Sequence, residues 1–135
     1  MALFDWKNEY SVSVAEIDEQ HKKLIALINK LHEAMTSGRG KEVVNAVLKE
    51  LADYTVFHFS KEENLMRTND YPGYPEHLEK HQKMTAKVLA LQADCKRGKV
   101  SVSMDVMDFL KSWLDKHILG TDKQYAPYLK AKGVS

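Results

Sequence analysis

The sequence predicts an all-α fold: an antiparallel up-down-up-down four-helix bundle with an N-terminal arm and a short C-terminal helical tail. Three observations carry that expectation. Apolar residues recur at three- and four-residue intervals along four long stretches, the period of a helix buried on one face. The three prolines and six glycines cluster between the long helical patterns. Strand signals, the alternation of apolar and polar residues, are missing.

An irregular arm covers about residues 1–17, and Asp18 is the expected N-cap of the first helix. Ile17, His21, Leu24, Ile25, Ile28, Leu31 and Met35 mark its inner stripe, and Thr36-Ser-Gly-Arg-Gly40 ends it. The second helix is expected from about Lys41 to Arg67, with Val44, Val47, Leu48, Leu51, Thr55, His58, Glu62 and Leu65 inside. Thr68 to Pro75 is turn chemistry, and Pro75 suits the first position of the third helix. That helix reaches about Lys96, with His77, His81, Met84, Val88, Leu91 and Cys95 on one stripe, and Arg97-Gly-Lys stops it. The fourth, about Val102 to Leu119, turns Val106, Leu110, Trp113, Leu114 and His117 inward. In the tail, about 120–135, Tyr125, Tyr128 and Leu129 are placed to pack back, and residues 1–135 read as one domain.

Bulk properties narrow the function classes. With a net charge of +1 and interspersed signs, the chain has no electrostatic footprint for nucleic acid. No apolar run reaches about 20 residues, so no membrane-spanning helix is expected. Asp5, Lys7 and Glu9 interrupt the N-terminus where a signal peptide would be apolar. The lone Cys95 excludes an internal disulfide framework, and a cytoplasmic monomer is the expectation.

The chemistry lies in a spaced set of histidines and carboxylates: His21, then His58 and Glu62, His77 and His81, His117 and Asp122. Neutral imidazole is the commonest metal-binding side chain, and a four-residue step sets two side chains one turn apart on one helix face. In an up-down bundle, the start of helix one, the end of helix two, the start of helix three and the end of helix four meet at one end. All seven residues fall there. His32 is eleven residues beyond His21, ~16 Å along the axis, and cannot share the site. The five-residue step from His117 to Asp122 is about 140° on a regular helix, and Gly120 offers a place for the helix to loosen. Glu63 points about 100° away from Glu62, toward the surface or a supporting position rather than a metal.

Seven ligands exceed the four of a closed zinc site, and two metals bridged by Glu62 and Asp122 fit better. Carboxylates bridging the helices of a bundle favour iron. Five histidines over two metals leave three on one and two on the other, so one metal keeps an open position. Leu24, Phe59, Trp113, Leu114 and Ile118 surround that position with apolar groups. No Ser, Cys, Lys or Tyr on these stripes stands out as an acid, base or nucleophile, which favours binding a small apolar gas over transforming it.

The pattern resembles the hemerythrin family, in particular its single-domain bacterial members. The likeness runs from Trp6 through Ile17-Asp-Glu-Gln-His21, His58-Phe59 to Glu62-Glu-Asn-Leu-Met66, Tyr74-Pro75, His77 and His81, to Trp113-Leu-Asp-Lys-His-Ile118 and Asp122. It implies a di-iron centre with His77, His81 and His117 on the saturated iron, His21 and His58 on the five-coordinate iron, and Glu62 and Asp122 bridging. It implies reversible dioxygen binding at the open iron, held as hydroperoxide, with Leu24, Phe59, Trp113, Leu114 and Ile118 as the pocket. The expected role is a dioxygen carrier or store rather than an enzyme, with the recipient of the gas unidentified. A di-iron oxidase, a peroxide or nitric oxide reductase, or a dioxygen-sensing module is the alternative.

Overall fold

The computed structural model describes residues 4–38, 40–98 and 102–134. The expected turn residue Arg39, the stop residue Lys99 and the start of the arm, 1–3, lie outside them. Four long helices follow in order: α1 (Ala15–Thr36), α2 (Lys41–Thr68), α3 (Tyr74–Lys96) and α4 (Met104–Asp115). A π-helical segment, Lys116–Thr121, continues α4, and a 3-10 turn, Asp122–Gln124, leads into α5 (Ala126–Ala131). The chain is all-helical among the described residues, and the bundle is the predicted one: α1 packs on α2 and on α4, and α2 packs on α3. No described helix is long and apolar enough to cross a membrane.

The helix ends show why these segments stop where they do. Gly38 and Gly98 take φ of +69° and +78° just past α1 and α3, the left-handed region that glycine enters without steric cost. Ser103 accepts the Val106 N–H at 3.4 Å and caps α4. Asp18 is not the N-cap of α1. The helix begins at Ala15 after Val14, and the Asp18 carboxylate accepts the Val12 N–H at 2.8 Å and the Ser11 hydroxyl at 2.5 Å. It thus ties the incoming arm to the first turn. Farther out, Asn29 exchanges two bonds with the Phe4 backbone, 2.9 and 2.7 Å, and the Tyr10 hydroxyl donates to Asp115 at 3.1 Å.

Two apolar clusters sit along the bundle axis. The larger holds Leu24, Phe59, Trp113, Leu114 and Ile118 together with the Leu, Ile and Val stripes and Cys95. The smaller, at the tail end, gathers Val12, Val14, Ile17, Met66, Tyr125 and Leu129. His21 lies between Ile17 and Leu24 in sequence, Glu62 between Phe59 and Met66, and Asp122 between Ile118 and Tyr125. Each polar residue therefore occupies the seam between two dry regions.

Candidate metal centre

The seam brings all seven expected residues together. His21, His58, Glu62, His117 and Asp122 are 0% exposed, His81 1% and His77 3%, so water screens none of them. Every histidine presents Nε2 to the carboxylates. Asp122 spreads its two oxygens: Oδ2 lies 2.7 Å from both His21 and His117, and Oδ1 lies 3.0 Å from His77. Glu62 Oε1 lies 2.8 Å from His58, 3.1 Å from His117 and 3.5 Å from His81. Two groups of donor atoms result, each with all members within 4.8 Å of one another. One holds His21, His58 and His117, the other His77 and His81, and Glu62 and Asp122 belong to both. The family resemblance assigns His117 to the other pair, His77 and His81. In this structure its Nε2 sits 3.1 Å from that of His58, on the side of the first group. His32 stays outside both groups, as its position along α1 requires.

The donors fit a cation better than they fit each other. Glu62 Oε1 and His81 Nε2 are buried without a hydrogen-bond partner, although imidazole nitrogens crowd that same oxygen. Close approach without hydrogen-bond alignment is how ligands stand when they point at a common centre. Leaving such groups buried and unpaired costs a few kcal/mol, about 1–3 for each one. Supporting bonds set the ring orientation: His58 Nδ1 donates to Gln20 Oε1 at 2.7 Å, and His81 Nδ1 donates to Glu63 Oε2 at 2.9 Å. Both fix the tautomer that leaves Nε2 free for a metal.

Protonation follows from burial. Desolvation holds His21 well below the usual imidazole value and takes His77 down to about 4 and His81 to about 2, with neighbouring imidazoles adding to it. These rings are neutral near pH 7, the form that ligates. His58 differs: burial opposes its charge, but the charge of Glu62, 2.8 Å away, and the nearness of Asp122 raise it. Burial, then the charge of Glu62, pushes Asp122 well above the carboxylate range. Glu62 is held low by His58 and His117 against the same burial. Two buried carboxylates share one site here, and a dication would let both ionise.

A profile for the Hemerythrin HHE cation binding domain matches residues 12–129. The chain belongs to the hemerythrin family. It is 35% identical over 132 residues to a bacteriohemerythrin of Methylococcus capsulatus, covering 97% of this chain and 100% of that one. A hemerythrin-like protein of Naegleria gruberi is 35% identical over 122 residues, 90% of each chain. A crystal structure of wild-type hemerythrin superposes with a TM-score of 0.88 at 33% identity, over 93% of this chain and 97% of that one. The buried His, Glu and Asp cluster of this family member fits a di-iron centre.

Around the seven candidate ligands the expected apolar residues are all buried: Leu24, Leu114 and Ile118 completely, Phe59 and Trp113 nearly so. The Phe59 ring stacks on His81, centroids 4.0 Å apart and planes 5° apart, and lies 4.8 Å from His117. Trp113 donates its indole N–H to the Met84 carbonyl at 3.3 Å, bridging α4 to α3. A tyrosine from beyond the four stripes, one the sequence places in the tail only as packing back, reaches the site. Tyr125, wholly buried, donates its hydroxyl to Glu62 Oε2 at 2.6 Å, and its ring centroid lies 5.4 Å from that of His77. Burial and the two carboxylates raise its pKa well above 10, so it remains a donor. Gln20 was likewise missed. Its adjacency to His21 and its place in the Ile17–His21 segment are the signals the sequence holds, but its partner lies 38 residues away.

Proposed function

We propose that this protein binds dioxygen reversibly at a di-iron centre and serves as a carrier or store rather than as an enzyme. One observation carries the reading: five buried imidazoles divide three and two between donor groups that share Glu62 and Asp122, against an apolar wall. Either placement of His117 gives that division, so one metal position has one ligand fewer than the other. We assign His77, His81 and His117 to the saturated position and His21 and His58 to the open one, as the family resemblance implies. An iron pair held by these seven side chains would supply, in its reduced form, the two electrons that reversible dioxygen binding requires. Leu24, Phe59, Trp113, Leu114 and Ile118 exclude water, which keeps charge from leaving with a proton. Asp122 reaches His77 of the saturated position with Oδ1 and His21 of the open position with Oδ2, and so would hold the two positions at a fixed separation.

One observation favours a redox enzyme as a second reading. The Tyr125 hydroxyl is a proton-bearing group in contact with Glu62, itself a ligand candidate. Cycling the reduced, iron-loaded protein between air and vacuum separates the two. A carrier gains a visible absorption band in air and loses it under vacuum over many cycles, with no reductant consumed. Steady consumption of added reductant in air, with no return under vacuum, would replace the carrier by an oxidase or reductase.

A further inference from the structure

Between α3 and α4, on the outside of the metal end, lies a cleft of about 270 Å³. Met84, Phe109 and Trp113 make its apolar lining, and Phe109 is 39% exposed, an aromatic ring left open to solvent. Lys80, Lys83, Lys87 and Lys116 also line it, and no carboxylate does. Lys83 bonds Glu79 at 3.2 Å, whereas Lys80, Lys87 and Lys116 pair with no acidic group among the described residues. The whole chain carries a net charge of only +1, so this local excess is a property of the cleft. Three lining residues, Lys80, Lys116 and Thr121, each precede a ligand candidate, His81, His117 and Asp122.

We propose that this cleft is a binding site for a small organic anion with an apolar body, a carboxylate borne on an acyl or aryl group. Apolar walls with a few charged groups at the rim are the general composition of a small-molecule site. The volume lies just under the roughly 300–1,000 Å³ of typical ligand pockets, so a compact molecule fills it. A stable protein interface buries ~800 Å² on each partner, much more than a cleft of this size presents. The lysines supply the complement to a carboxylate and exclude a cationic head. The stems of Lys80 and Lys87 extend the apolar lining while their ammonium groups stay in water.

Calorimetric titration of the iron-loaded full chain with octanoate tests the site, with octylamine and acetate as probes lacking the anion or the tail. The expected result is saturable one-to-one binding of octanoate, weakened by added salt, with octylamine and acetate at least tenfold weaker. Joint replacement K80E/K87E/K116E is expected to weaken octanoate at least tenfold with iron content unchanged. K80Q/K87Q/K116Q reads the same loss should the charge reversal impair folding. F109A is expected to weaken octanoate while leaving acetate as it was. No saturable octanoate binding, equal binding of octylamine, or affinity unmoved by the lysine replacements would each overturn the proposal. A tetraglutamate peptide binding as tightly as octanoate would place an acidic protein segment there and overturn it too. None of these readings involves dioxygen, so the site can fail while the carrier function stands.

Discussion

Each histidine of the centre has two ring nitrogens, and the partner of the outward one governs the donor strength of the inward one. His58 donates from Nδ1 to the neutral amide of Gln20, while His81 donates to the carboxylate of Glu63. A charged acceptor pulls the Nδ1 proton harder and makes Nε2 the better ligand. Glu63→Gln keeps a hydrogen-bond acceptor and removes only the charge. Iron release to a competing chelator is expected to become roughly 10–100-fold easier. Wild-type retention would show that the Glu63 charge does not act on His81. Tyr125 sits at the other side of Glu62, where its hydroxyl is the bond the structure gives to Oε2. Tyr125→Phe changes little volume and leaves a buried carboxylate oxygen without a donor, a loss of about 1–3 kcal/mol. The iron-free variant should lose that much unfolding free energy in urea titration, with a lower midpoint, and an unchanged midpoint would contradict the bond.

The π-helical segment is the element that completes the site. Asp122 follows His117 by a step of five residues, and on a regular helix their side chains would diverge by about 140°. In the segment Lys116–Thr121 the Asp122 N–H donates to the carbonyl of His117 itself, an i→i+5 bond that stacks the two residues. The pairs His58–Glu62 and His77–His81 were legible from the sequence because a regular helix fixes them. His117–Asp122 was not, since periodicity assumes one pitch throughout, and only the resemblance to hemerythrins made the step acceptable. Tyr125 was hidden for the same reason: it lies beyond the π segment, where the register of the fourth stripe no longer extends. The start of α1 was misplaced because Asp18 has the chemistry of a cap and uses it on the arm instead. The sequence also suggests that Gly120 permits the loosening. In the structure a Cβ at Gly120 would meet nothing within 4 Å, and its φ is not in the left-handed range. Gly120→Ala is therefore expected to keep both irons and to raise stability by about 0.5–1 kcal/mol. Loss of iron would show that the segment needs the glycine.

At the scale of the molecule, the metal centre is a polar layer clamped between two apolar clusters, and iron-free stability must depend on pH through it. His21, His77 and His81 have folded-state values below the ordinary 6.5, to about 4 for His77 and about 2 for His81. Below pH 6.5 the unfolded chain takes up protons that these buried rings refuse. Their contribution is therefore complete above pH 6.5, falls as pH drops toward 4 for His77, and goes on falling for His81. His58 has a raised value, so it favours the folded state as pH falls and offsets part of the loss. Asp122, raised by burial and by Glu62, offsets the loss in the same sense as His58, but three depressed imidazoles outweigh these two raised groups, and each net proton is worth about 1.4 kcal/mol per pH unit. Urea unfolding of the iron-free protein is expected to show about 2–4 kcal/mol less stability at pH 5 than at pH 7. Iron should steepen that dependence, because a bound metal keeps every ligating imidazole unprotonated, His58 included. Equal midpoints at the two pH values, or a higher one at pH 5, would mean that the imidazoles are not held neutral in the fold, and the preorganisation argued for the centre would fail with them.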